Sequence, residues 1–351
     1  MAKKINVCMV GHGMMGVWHS EPLQGMRDVR LHTVVGRAKQ QDDEGPAPQA
    51  GRKPPSTEVF AERYGYKKWT TDLDQALGDP DVDVVIIAGP SETHADMTMR
   101  SLTAGKHTLV EIPIAMNLEG AEAAVNLAAD RGLTLGVVYP MRYRPERHAI
   151  IDRVRTGEER VSHVHGRFFI SRLSNVGATG LQRSWTDNLL WHHTTHLIDF
   201  GLWVISGGDM DTVESKIKSI ESVYSPIDPR TGIPMELVVV ITTHDDQTIV
   251  TTGSYYSGEF IYDTLVVSDW NSYRTDERRA GLTTREGEMR IATEQQNAAL
   301  IAPDFVRSVQ QGREPRVPGR SVLPTMRVLS TIQADWDAKY GKQLLPGRPV
   351  M

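Results

Sequence analysis

The hydrophobic positions in the first 140 residues form short, nearly continuous apolar runs that alternate with amphipathic stretches. The run Lys4–Val10, KINVCMV, opens this pattern. Continuous runs of this length are typical of strands buried on both faces of a parallel sheet. Strands are predicted at 4–10, 30–35, 67–70, 82–88, 108–110 and 133–138, and helices at about 14–25, 57–64, 73–77, 94–104 and 117–131. Strand–helix alternation with right-handed crossovers predicts an α/β, doubly wound parallel sheet of the Rossmann type.

The pattern changes after Pro140. An arginine-rich turn leads into a helix that ends near Arg155, and a series of strand-like runs follows, divided by turns rich in Gly, Asn and Asp. Only one helix, over 187–206, interrupts these strands. An α+β second domain with a large, mostly antiparallel sheet is therefore predicted. Its strands are predicted at 163–171, 215–224, 235–243, 248–256 and 261–268, and closing helices at 304–311 and 322–340.

These two patterns predict the domain organisation. Residues 1–140 are expected to form a nucleotide-binding Rossmann domain, 141–321 a substrate and oligomerisation domain, and 322–351 a C-terminal helix and tail that pack back on the body. Some runs of the second domain, such as VVVITT at 238–243, alternate poorly between apolar and polar residues. A second sheet face buried in a homodimer or homotetramer would explain this.

A glycine-rich turn directly follows the first predicted strand. The segment Gly11–Gly16, GHGMMG, also opens the first helix, and this context makes G-x-G-x-x-G a strong indication of a dinucleotide site. Gly11 permits the tight turn, Gly13 lets the backbone approach a pyrophosphate, and Gly16 lets helix and strand pack closely. Cofactor contacts are predicted for Gly11, Gly13, Met14, Met15 and Gly16.

The end of the second strand predicts which nicotinamide cofactor binds. NAD enzymes usually have Asp or Glu here to bind the ribose hydroxyls, whereas this chain has Gly36 and Arg37. A small residue leaves room for a 2′-phosphate and arginine can bind it, so NADP is favoured and NAD stays possible. The alternative is that Arg37 is a solvated surface residue and that one of the acidic residues at 42–44 binds the ribose. The stretch 38–56 around them is predicted to be a long surface loop.

Ligands of doubly wound sheets bind beyond the carboxyl ends of the strands. The later strands of the first domain end in Gly89–His94, in Glu111–Pro113 and at Tyr139. These segments are therefore expected to line the same crevice as the glycine-rich turn. The predicted cofactor contacts among them are Gly89, Pro90, His94, Glu111, Ile112 and Tyr139.

The helix predicted over 187–206 carries a polar stripe. His192 and His196 lie one helical turn apart on one face, and Asp199 lies one turn further on. Burying two imidazoles and a carboxylate requires a partner for each, and imidazole titrates near neutral pH, so the stripe indicates acid–base chemistry.

Two other interpretations of this stripe remain. One is a polar patch that is satisfied within the core or at an interface. The other is zinc, because two histidines at i and i+4 have a zinc-ligand spacing. Zinc is disfavoured, since no Glu separates the histidines as in H-E-x-x-H and no Cys/His cluster follows. No metal site is predicted.

Composition narrows the class of protein. The chain has 351 residues, 40% hydrophobic and 24% charged, with a net charge of -5, so a nucleic-acid partner is not expected. Cys8 is the single cysteine, which excludes an intramolecular disulfide. The first apolar run is too short for a signal peptide, and no uncharged apolar stretch reaches the roughly 18 residues of a membrane span. A soluble cytoplasmic protein with no membrane partner is expected.

The order of these motifs resembles the glucose–fructose oxidoreductase / inositol dehydrogenase family of nicotinamide enzymes along nearly the whole chain. The matching segments are GHGMMG, GPSETH, AGKHTLVEIP, the turn MRYRP and the late helix with His196. The segment RSWTDNLLWHHTTHLID is most similar to the branch of the family that acts on carboxylated semialdehydes from aromatic ring cleavage. Two positions depart from the wider family: Ile112 replaces the lysine of E-K-P, and His192 replaces an Asp four residues before the catalytic His. That lysine assists proton transfer to a sugar-type hydroxyl, so its absence disfavours a general sugar dehydrogenase.

The resemblance implies an activity and residue roles. The expected reaction is NADP-dependent oxidation of the cyclic hemiacetal of a carboxylated 2-hydroxymuconate semialdehyde to a 2-pyrone lactone. His196 is then the general base and His192 its partner or relay. The substrate-binding residues are expected to be Arg142, Arg144, Arg183, His193 and Asp187, of which the arginines would bind carboxylates. The alternatives are a dehydrogenase of a sugar, inositol or other cyclic alcohol, a non-catalytic NADP-binding sensor, and a zinc hydrolase.

Overall fold

Two sheets with their own helices make up the chain. The computed structural model describes residues 4–37, 56–174, 185, 187–277, 282–289 and 298–341. The strands of the first sheet are β1 (Ile5–Val10), β2 (Val29–Val35), β3 (Lys68–Thr70), β4 (Val84–Ile87), β5 (His107–Val110) and β6 (Leu135–Val137). The helices between them are α1 (Met14–Gln24), α2 (Thr57–Tyr64), α3 (Leu73–Leu77), α4 (His94–Thr103) and α5 (Leu118–Asp130).

The first sheet is parallel and doubly wound, which confirms the prediction. Its strand order is β3-β2-β1-β4-β5-β6, so the chain crosses from one side of β1 to the other between β3 and β4. The core strands β1 and β4 are almost fully buried, as continuous apolar runs require. In sheets of this type the ligand binds beyond the carboxyl edge at such a crossing, where the loops after β1 and β4 lie.

Side-chain hydrogen bonds cap two of the helices at their predicted N-termini. The Asn117 carboxamide oxygen accepts a hydrogen bond from the Gly120 amide at 2.7 Å and begins α5. Ser56 caps α2 in the same way through the Val59 amide, at 3.3 Å. Such caps satisfy amide groups that have no partner inside the helix, so the helix starts could be predicted from sequence.

The second sheet is large and mostly antiparallel, as predicted. Its strands are β7 (Val161–Ser171), β8 (Ile217–Tyr224), β9 (Glu236–Thr243), β10 (Thr248–Ser254), β11 (Tyr256–Ser268), β12 (Ser272–Asp276), β13 (Leu282–Thr284) and β14 (Gly287–Met289). Their order is β14-β13-β12-β11-β7-β10-β9-β8. Among these strands β7 and β10 pair in parallel, and the other pairs are antiparallel. The short strands β12 to β14 were not predicted, because three to five residues give too little alternation.

The later helices are α6 (Pro145–Arg155), α7 (Thr195–Ile205), α8 (Ala298–Gln311) and α9 (Leu323–Tyr340). Of these, α7 lies on β7 and β10 and α9 contacts β8, whereas α8 packs against α1 and β5 of the first domain. A Cβ atom added to Gly166 of β7 would lie 2.7 Å from Leu197 of α7, and one added to Gly201 of α7 would lie 2.5 Å from Ile249 of β10. Glycines therefore let α7 lie directly on the two central strands. No helix in the described parts of the chain combines the length and the apolar character needed to cross a bilayer.

The helix predicted over 187–206 differs from a regular α-helix. A π-helical turn, Leu190–Thr194, precedes α7. The Asn188 carboxamide oxygen accepts from the Leu190 amide at 2.9 Å, and Gln333 of α9 accepts from the Trp191 indole at 2.9 Å. These side-chain hydrogen bonds hold the wider turn, and π-turns frequently occur at functional sites.

Candidate active site

The glycine-rich turn has the geometry of a nucleotide cradle. Gly11 has a φ of +101°, and a Cβ atom there would lie 2.4 Å from the Ala88 carbonyl oxygen. A Cβ atom at Gly16 would lie 2.4 Å from the Gly11 carbonyl oxygen, whereas one at Gly13 would meet nothing within 4 Å. The turn is thus closed on the protein side and open at Gly13, at the start of α1, as a bound pyrophosphate requires. Met14 is exposed and Met15 half-buried at the same helix start.

The structure shows why position 36 requires a glycine. A Cβ atom at this position would lie 2.3 Å from the Thr57 hydroxyl oxygen and 2.4 Å from the His12 ring nitrogen Nδ1. The space beside Gly36 is therefore filled by two side chains of the protein itself. The Thr57 hydroxyl also donates to the Arg37 carbonyl oxygen at 3.0 Å, which fixes the backbone where β2 ends. The Arg37 side chain is half-buried.

His94 joins two loops at the carboxyl edge of the first sheet. Its Nδ1 lies 2.8 Å from the Pro113 carbonyl oxygen and its Nε2 lies 3.0 Å from the Gly89 carbonyl oxygen. Both ring nitrogens thus contact backbone, so His94 holds the loops after β4 and β5 together. Pro90 begins the short helical turn Ser91–Thr93 in the first of these loops.

Glu111 and Ile112 follow β5 at the same edge. Glu111 Oε1 lies 2.8 Å from Nε2 of His19, which projects from α1, and both side chains are buried. Ile112 is half-buried and packs against the core. The sequence analysis did not single out His19, because nothing in a lone histidine of α1 indicates which loop it reaches.

Tyr139 lies between the two domains. Its hydroxyl is 2.9 Å from the Thr195 hydroxyl at the start of α7, and its ring meets the His196 ring edge-on, with centroids 5.7 Å apart. Burial raises the pKa of the Tyr139 phenol well above its usual range. The phenol is therefore a neutral wall residue beside His196, and its cofactor contact remains a prediction.

His196 has the surroundings of a neutral base. Burial lowers the pKa of the imidazole, while the carboxylates of Asp199 and Glu111 act in the opposite direction. Its Nδ1 has no hydrogen-bond partner among the described residues. The influence of Glu111, at the end of β5, places His196 within electrostatic range of the edge where the cofactor is expected.

His192 faces a carboxylate from its own segment. Its Nδ1 lies 3.5 Å from Asp187 Oδ1, and the Ser91 hydroxyl donates to the same oxygen at 3.4 Å. Ser91 comes from the loop after β4, so Asp187 links the two domains next to the histidines. A carboxylate at this distance can orient the imidazole ring, which suits a partner of the base.

His193 belongs to an aromatic row on the surface of the second sheet. Its ring stacks on Phe168 of β7 at 4.1 Å and meets the His192 ring edge-on at 4.3 Å. Its Nδ1 lies 2.7 Å from the Tyr255 hydroxyl. Phe168 and Tyr255 were missed at the sequence level because Phe168 lies on β7 and Tyr255 lies between β10 and β11, both far from His193 along the chain.

Two of the arginines predicted to bind substrate carboxylates, Arg142 and Arg144, form ion pairs with acidic residues of the protein. Arg142 donates from Nε and Nη2 to the two carboxylate oxygens of Asp199, at 2.8 and 2.5 Å. Asp199 is therefore part of a buried ion pair, and the stripe with His192 and His196 does not form one cluster. Arg144 pairs with Glu146 at 2.7 Å and with Glu277 at 3.1 Å. The structure does not test substrate binding by Arg142 or Arg144, and Arg183 lies outside the described residues.

A possible metal-ligand group lies elsewhere. Within the described residues, His32, Asp79 and Asp81 have ligand atoms close enough to share an ion. However, the Lys68 ammonium donates to Asp79 Oδ2 at 2.8 Å and already neutralises that carboxylate. The group lies on the first domain, and His192 and His196 are not part of it.

Comparison with protein families identifies the class of protein. A model described as an oxidoreductase family with an NAD-binding Rossmann fold matches residues 5–139. A model of the C-terminal region of bacterial oxidoreductases matches residues 145–274. The chain belongs to this oxidoreductase family. It is an NAD(P)-dependent oxidoreductase that acts on CH–OH donors, as the sequence analysis expected.

Two curated relatives differ in how much of the chain they match. The 4-carboxy-2-hydroxymuconate-6-semialdehyde dehydrogenase of Sphingobium sp. (strain NBRC 103272 / SYK-6) is 28% identical over 333 residues, or 94% of this chain and 98% of that protein. The inositol 2-dehydrogenase of Rhizobium meliloti (strain 1021) is 31% identical over 153 residues, or 43% of this chain and 41% of that protein. The first likeness thus extends over both domains, and the second over less than half of either chain.

Solved structures share the fold over nearly the whole chain. Levoglucosan dehydrogenase, in complex with NADH and levoglucosan, has a TM-score of 0.78 at 18% identity and covers 96% of this chain and 98% of that one. GenD2 from gentamicin A biosynthesis, in complex with NAD, has a TM-score of 0.73 at 21% identity and covers 96% of each chain. At these identities the likeness concerns the fold alone.

Proposed function

We propose that this enzyme oxidises the cyclic hemiacetal of a carboxylated 2-hydroxymuconate semialdehyde to a 2-pyrone lactone, in the degradation of aromatic compounds, with NADP as the hydride acceptor. The observation that carries the proposal is the likeness to the semialdehyde dehydrogenase over 98% of that protein. The presence of both His192 and His196 in the segment LLWHHTTH supports it, because the wider family that this chain resembles commonly has Asp at position 192.

The chemistry requires a base next to the hydride acceptor. Gly11–Gly16 would hold the dinucleotide, which would supply a hydride acceptor for the anomeric carbon, and the hemiacetal hydroxyl would have to lose its proton. His196 is kept neutral by burial and can accept that proton at neutral pH. His192, with Asp187 at 3.5 Å, can then pass a proton on, since its side chain is 28% exposed.

The position of Ile112 fits a hemiacetal better than a secondary alcohol. Its apolar side chain offers no proton donor or acceptor at the position that the family pattern fills with lysine. A hemiacetal hydroxyl is more acidic than the hydroxyl of a sugar or inositol ring, so a single histidine can suffice as the base. The pair of Glu111 and His19 keeps the neighbouring carboxylate engaged within the protein.

Binding of NADP in preference to NAD rests on the end of β2. Gly36 and Arg37 follow Val35 directly, so neither of the two described residues after the strand carries a carboxylate that would repel a 2′-phosphate. The Arg37 guanidinium can supply a charge-assisted contact to that phosphate. Gly36 contributes by letting His12 and Thr57 pack against the backbone at this point.

We also propose that a second copy of the chain covers the open face of the second sheet, giving a homodimer or homotetramer, and that the enzyme is cytoplasmic. Opposite α7 the face presents Val238, Val240 and Val250, all half-exposed, and Val223, which is 72% exposed. Apolar surface of this kind on a flat sheet favours association with another sheet. Sedimentation velocity should give a dimer or larger, and a monomer at micromolar concentration would contradict this assignment.

A substrate screen tests the proposed reaction. Purified enzyme should reduce NADP with the enzymatically generated 4-carboxylated hydroxymuconate semialdehyde, as followed by the absorbance of reduced nicotinamide, and the product should be a pyrone dicarboxylate by mass spectrometry. Inositols, xylose and levoglucosan, each with NAD and with NADP, serve as comparison substrates. Faster turnover of a polyol would identify a cyclic-alcohol dehydrogenase instead. Binding of cofactor without turnover of any substrate would indicate a sensor.

A further inference from the structure

Arg172 is a cationic side chain at the candidate site to which the proposed mechanism gives no role. It follows the last residue of β7, and its amide donates to the Tyr255 carbonyl oxygen at 2.8 Å, which continues the sheet pairing by one residue. Alternate residues of a strand share a face. Gly166 contacts α7 and Phe168 stacks on His193, so Arg172 projects on the same side of the sheet as the histidines.

A row of ring contacts connects Arg172 to His192. The Arg172 guanidinium lies over the Tyr255 ring, 5.5 Å from its centroid. The Tyr255 hydroxyl lies 2.7 Å from His193, whose ring meets that of His192 edge-on. The Arg172 guanidinium therefore packs on an aromatic ring that contacts His193, which in turn contacts His192. This cation–π packing keeps the guanidinium in place without neutralising its charge.

Arg172 differs from the other arginines near the site in its charge partners. The half-buried side chain makes no ion pair with any carboxylate in the described ranges. The other arginines close to the site differ in this respect, because Arg142, Arg144 and Arg147 each pair with an aspartate or glutamate of the protein. A fixed, partly desolvated guanidinium with free donors is suited to bind a carboxylate by two parallel hydrogen bonds.

We infer that Arg172 binds a carboxylate group of the substrate and thereby selects a carboxylated hemiacetal over a neutral one. This inference rests on the proposed function. Arg142, Arg144 and Arg147, which follow Pro140, form ion pairs with acidic residues of the protein. Arg172 is therefore the arginine that we assign to the substrate carboxylate.

The test compares two substrates and three variants. The substrates are the carboxylated hydroxymuconate semialdehyde and the corresponding semialdehyde without the extra carboxyl group. For Arg172→Gln, KM for the carboxylated substrate should rise about 10- to 100-fold with kcat changed less than about threefold, as expected for a lost charge-assisted pair. KM for the substrate without that carboxyl group should stay within about threefold. Arg172→Lys should recover part of the loss because it keeps the charge without the fork. Arg155→Gln, on the exposed end of α6, is the matched control for net charge and should leave both KM values unchanged.

The outcomes separate the two proposals. An unchanged KM for Arg172→Gln, or an equal rise for both substrates, would overturn the role of Arg172 while wild-type turnover still supports the proposed function. A wild-type enzyme that oxidises only neutral polyols would overturn both. Melting temperature and NADPH affinity are measured for every variant. Arg172→Gln could lower both the melting temperature and the NADPH affinity, with Arg172→Lys restoring both and with equal KM changes for the two substrates. That result would assign Arg172 to folding and reject the inference.

Discussion

Asp199 accepts hydrogen bonds from both Nε and Nη2 of Arg142, at 2.8 and 2.5 Å, one helical turn after His196. The Thr325 hydroxyl donates to the same carboxylate at 2.9 Å, and Arg142 Nη1 donates to the Ser321 hydroxyl at 2.9 Å. Both charged side chains are almost completely buried. The ion pair therefore joins α7, the turn after β6 and the start of α9 behind the candidate site.

Removing one partner of this ion pair should destabilise the protein. In Asp199→Asn or Arg142→Gln, an uncompensated charge remains buried, and the free energy of unfolding should fall by about 3–5 kcal/mol. The double variant Arg142→Met/Asp199→Leu should be more stable than either single variant, because it leaves no buried charge. Urea unfolding measures this. Normal stability of Arg142→Gln with a raised KM for a carboxylated substrate would instead show that Arg142 binds substrate.

Replacing Gly13 or Gly16 of the glycine-rich turn with alanine should have different effects on folding and on cofactor binding. A Cβ atom at Gly13 meets nothing within 4 Å, so Gly13→Ala should fold with a normal melting temperature. The methyl group would stand where the backbone must approach the pyrophosphate, and cofactor affinity should fall at least about tenfold. Gly16→Ala places its methyl group 2.4 Å from the Gly11 carbonyl oxygen and should lower the melting temperature as well. Calorimetry and cofactor titration distinguish the two variants.

Arg37 should matter for NADP and not for NAD. Arg37→Asp replaces a contact to the 2′-phosphate with a repulsive charge, so NADP binding should weaken by about 2–3 kcal/mol. NAD binding should change far less, since it has no 2′-phosphate. Arg30→Asp, at an exposed position in β2, is the control for a charge change on the same strand. Tighter binding of NAD than of NADP by the wild-type enzyme would contradict the assignment of this position.

The fold could be predicted because its signals are local. Apolar runs such as Lys4–Val10 and caps such as Asn117 report burial and helix starts through neighbouring residues alone. The π-helical turn could not be predicted, because it depends on hydrogen bonds that the side chains of Asn188 and Gln333 accept. Gln333 lies 142 residues after Trp191 in the chain. Periodicity counts residues along one segment and does not register such a partner.

The residues of the candidate site remain a prediction, and only some of their contacts could be expected from the sequence. His192 and His196 were chosen from their spacing, and both lie at the junction of the two domains. The partner of Asp199 was not predictable, because Arg142 is 57 residues earlier and nothing in the arginine-rich turn shows which residues face inward. Arg172 was overlooked for a related reason, since the ring under its guanidinium, Tyr255, lies between β10 and β11, far from Arg172 along the chain.

His196 should be required for turnover. His196→Asn keeps the size and part of the hydrogen bonding but cannot accept a proton near neutral pH, so kcat should fall by roughly 10²–10⁴ while cofactor affinity stays unchanged. His192→Asn should lower kcat less, since a partner that orients or relays does not itself take the substrate proton. Rates per folded molecule and melting temperatures are needed together. Full activity of folded His196→Asn would exclude α7 from the mechanism.

The pH dependence of turnover should reflect the burial of His196. Burial lowers the pKa of this imidazole below its usual value of 6.5, and the carboxylate of Asp199 only partly opposes that shift. The acid limb of the kcat profile should therefore have its midpoint below pH 6.5, with an apparent pKa that belongs to the coupled histidine pair. In His196→Asn the remaining slow rate should lose this limb. A wild-type midpoint above 6.5 would show that another group takes the proton.

The same pKa shift should make the protein less stable in acid. The unfolded chain binds a proton at position 196 near pH 6.5, whereas the folded protein resists protonation until the pH is lower. The unfolded state thus holds more protons below that pH, so the free energy of unfolding should decrease as the pH falls through 6.5 and level off below the folded-state pKa. His107, His148 and His165, whose pKa values burial also lowers, act in the same direction. Because these histidines remain in His196→Asn, that variant should keep most of the acid sensitivity of folding while losing the acid limb of catalysis. Urea unfolding and rate measurements between pH 5 and pH 8, at about unit steps across the usual histidine range, would show whether the two effects separate. A common midpoint for stability and turnover in the wild type would mean that acid unfolding, and not protonation of the base, limits the rate.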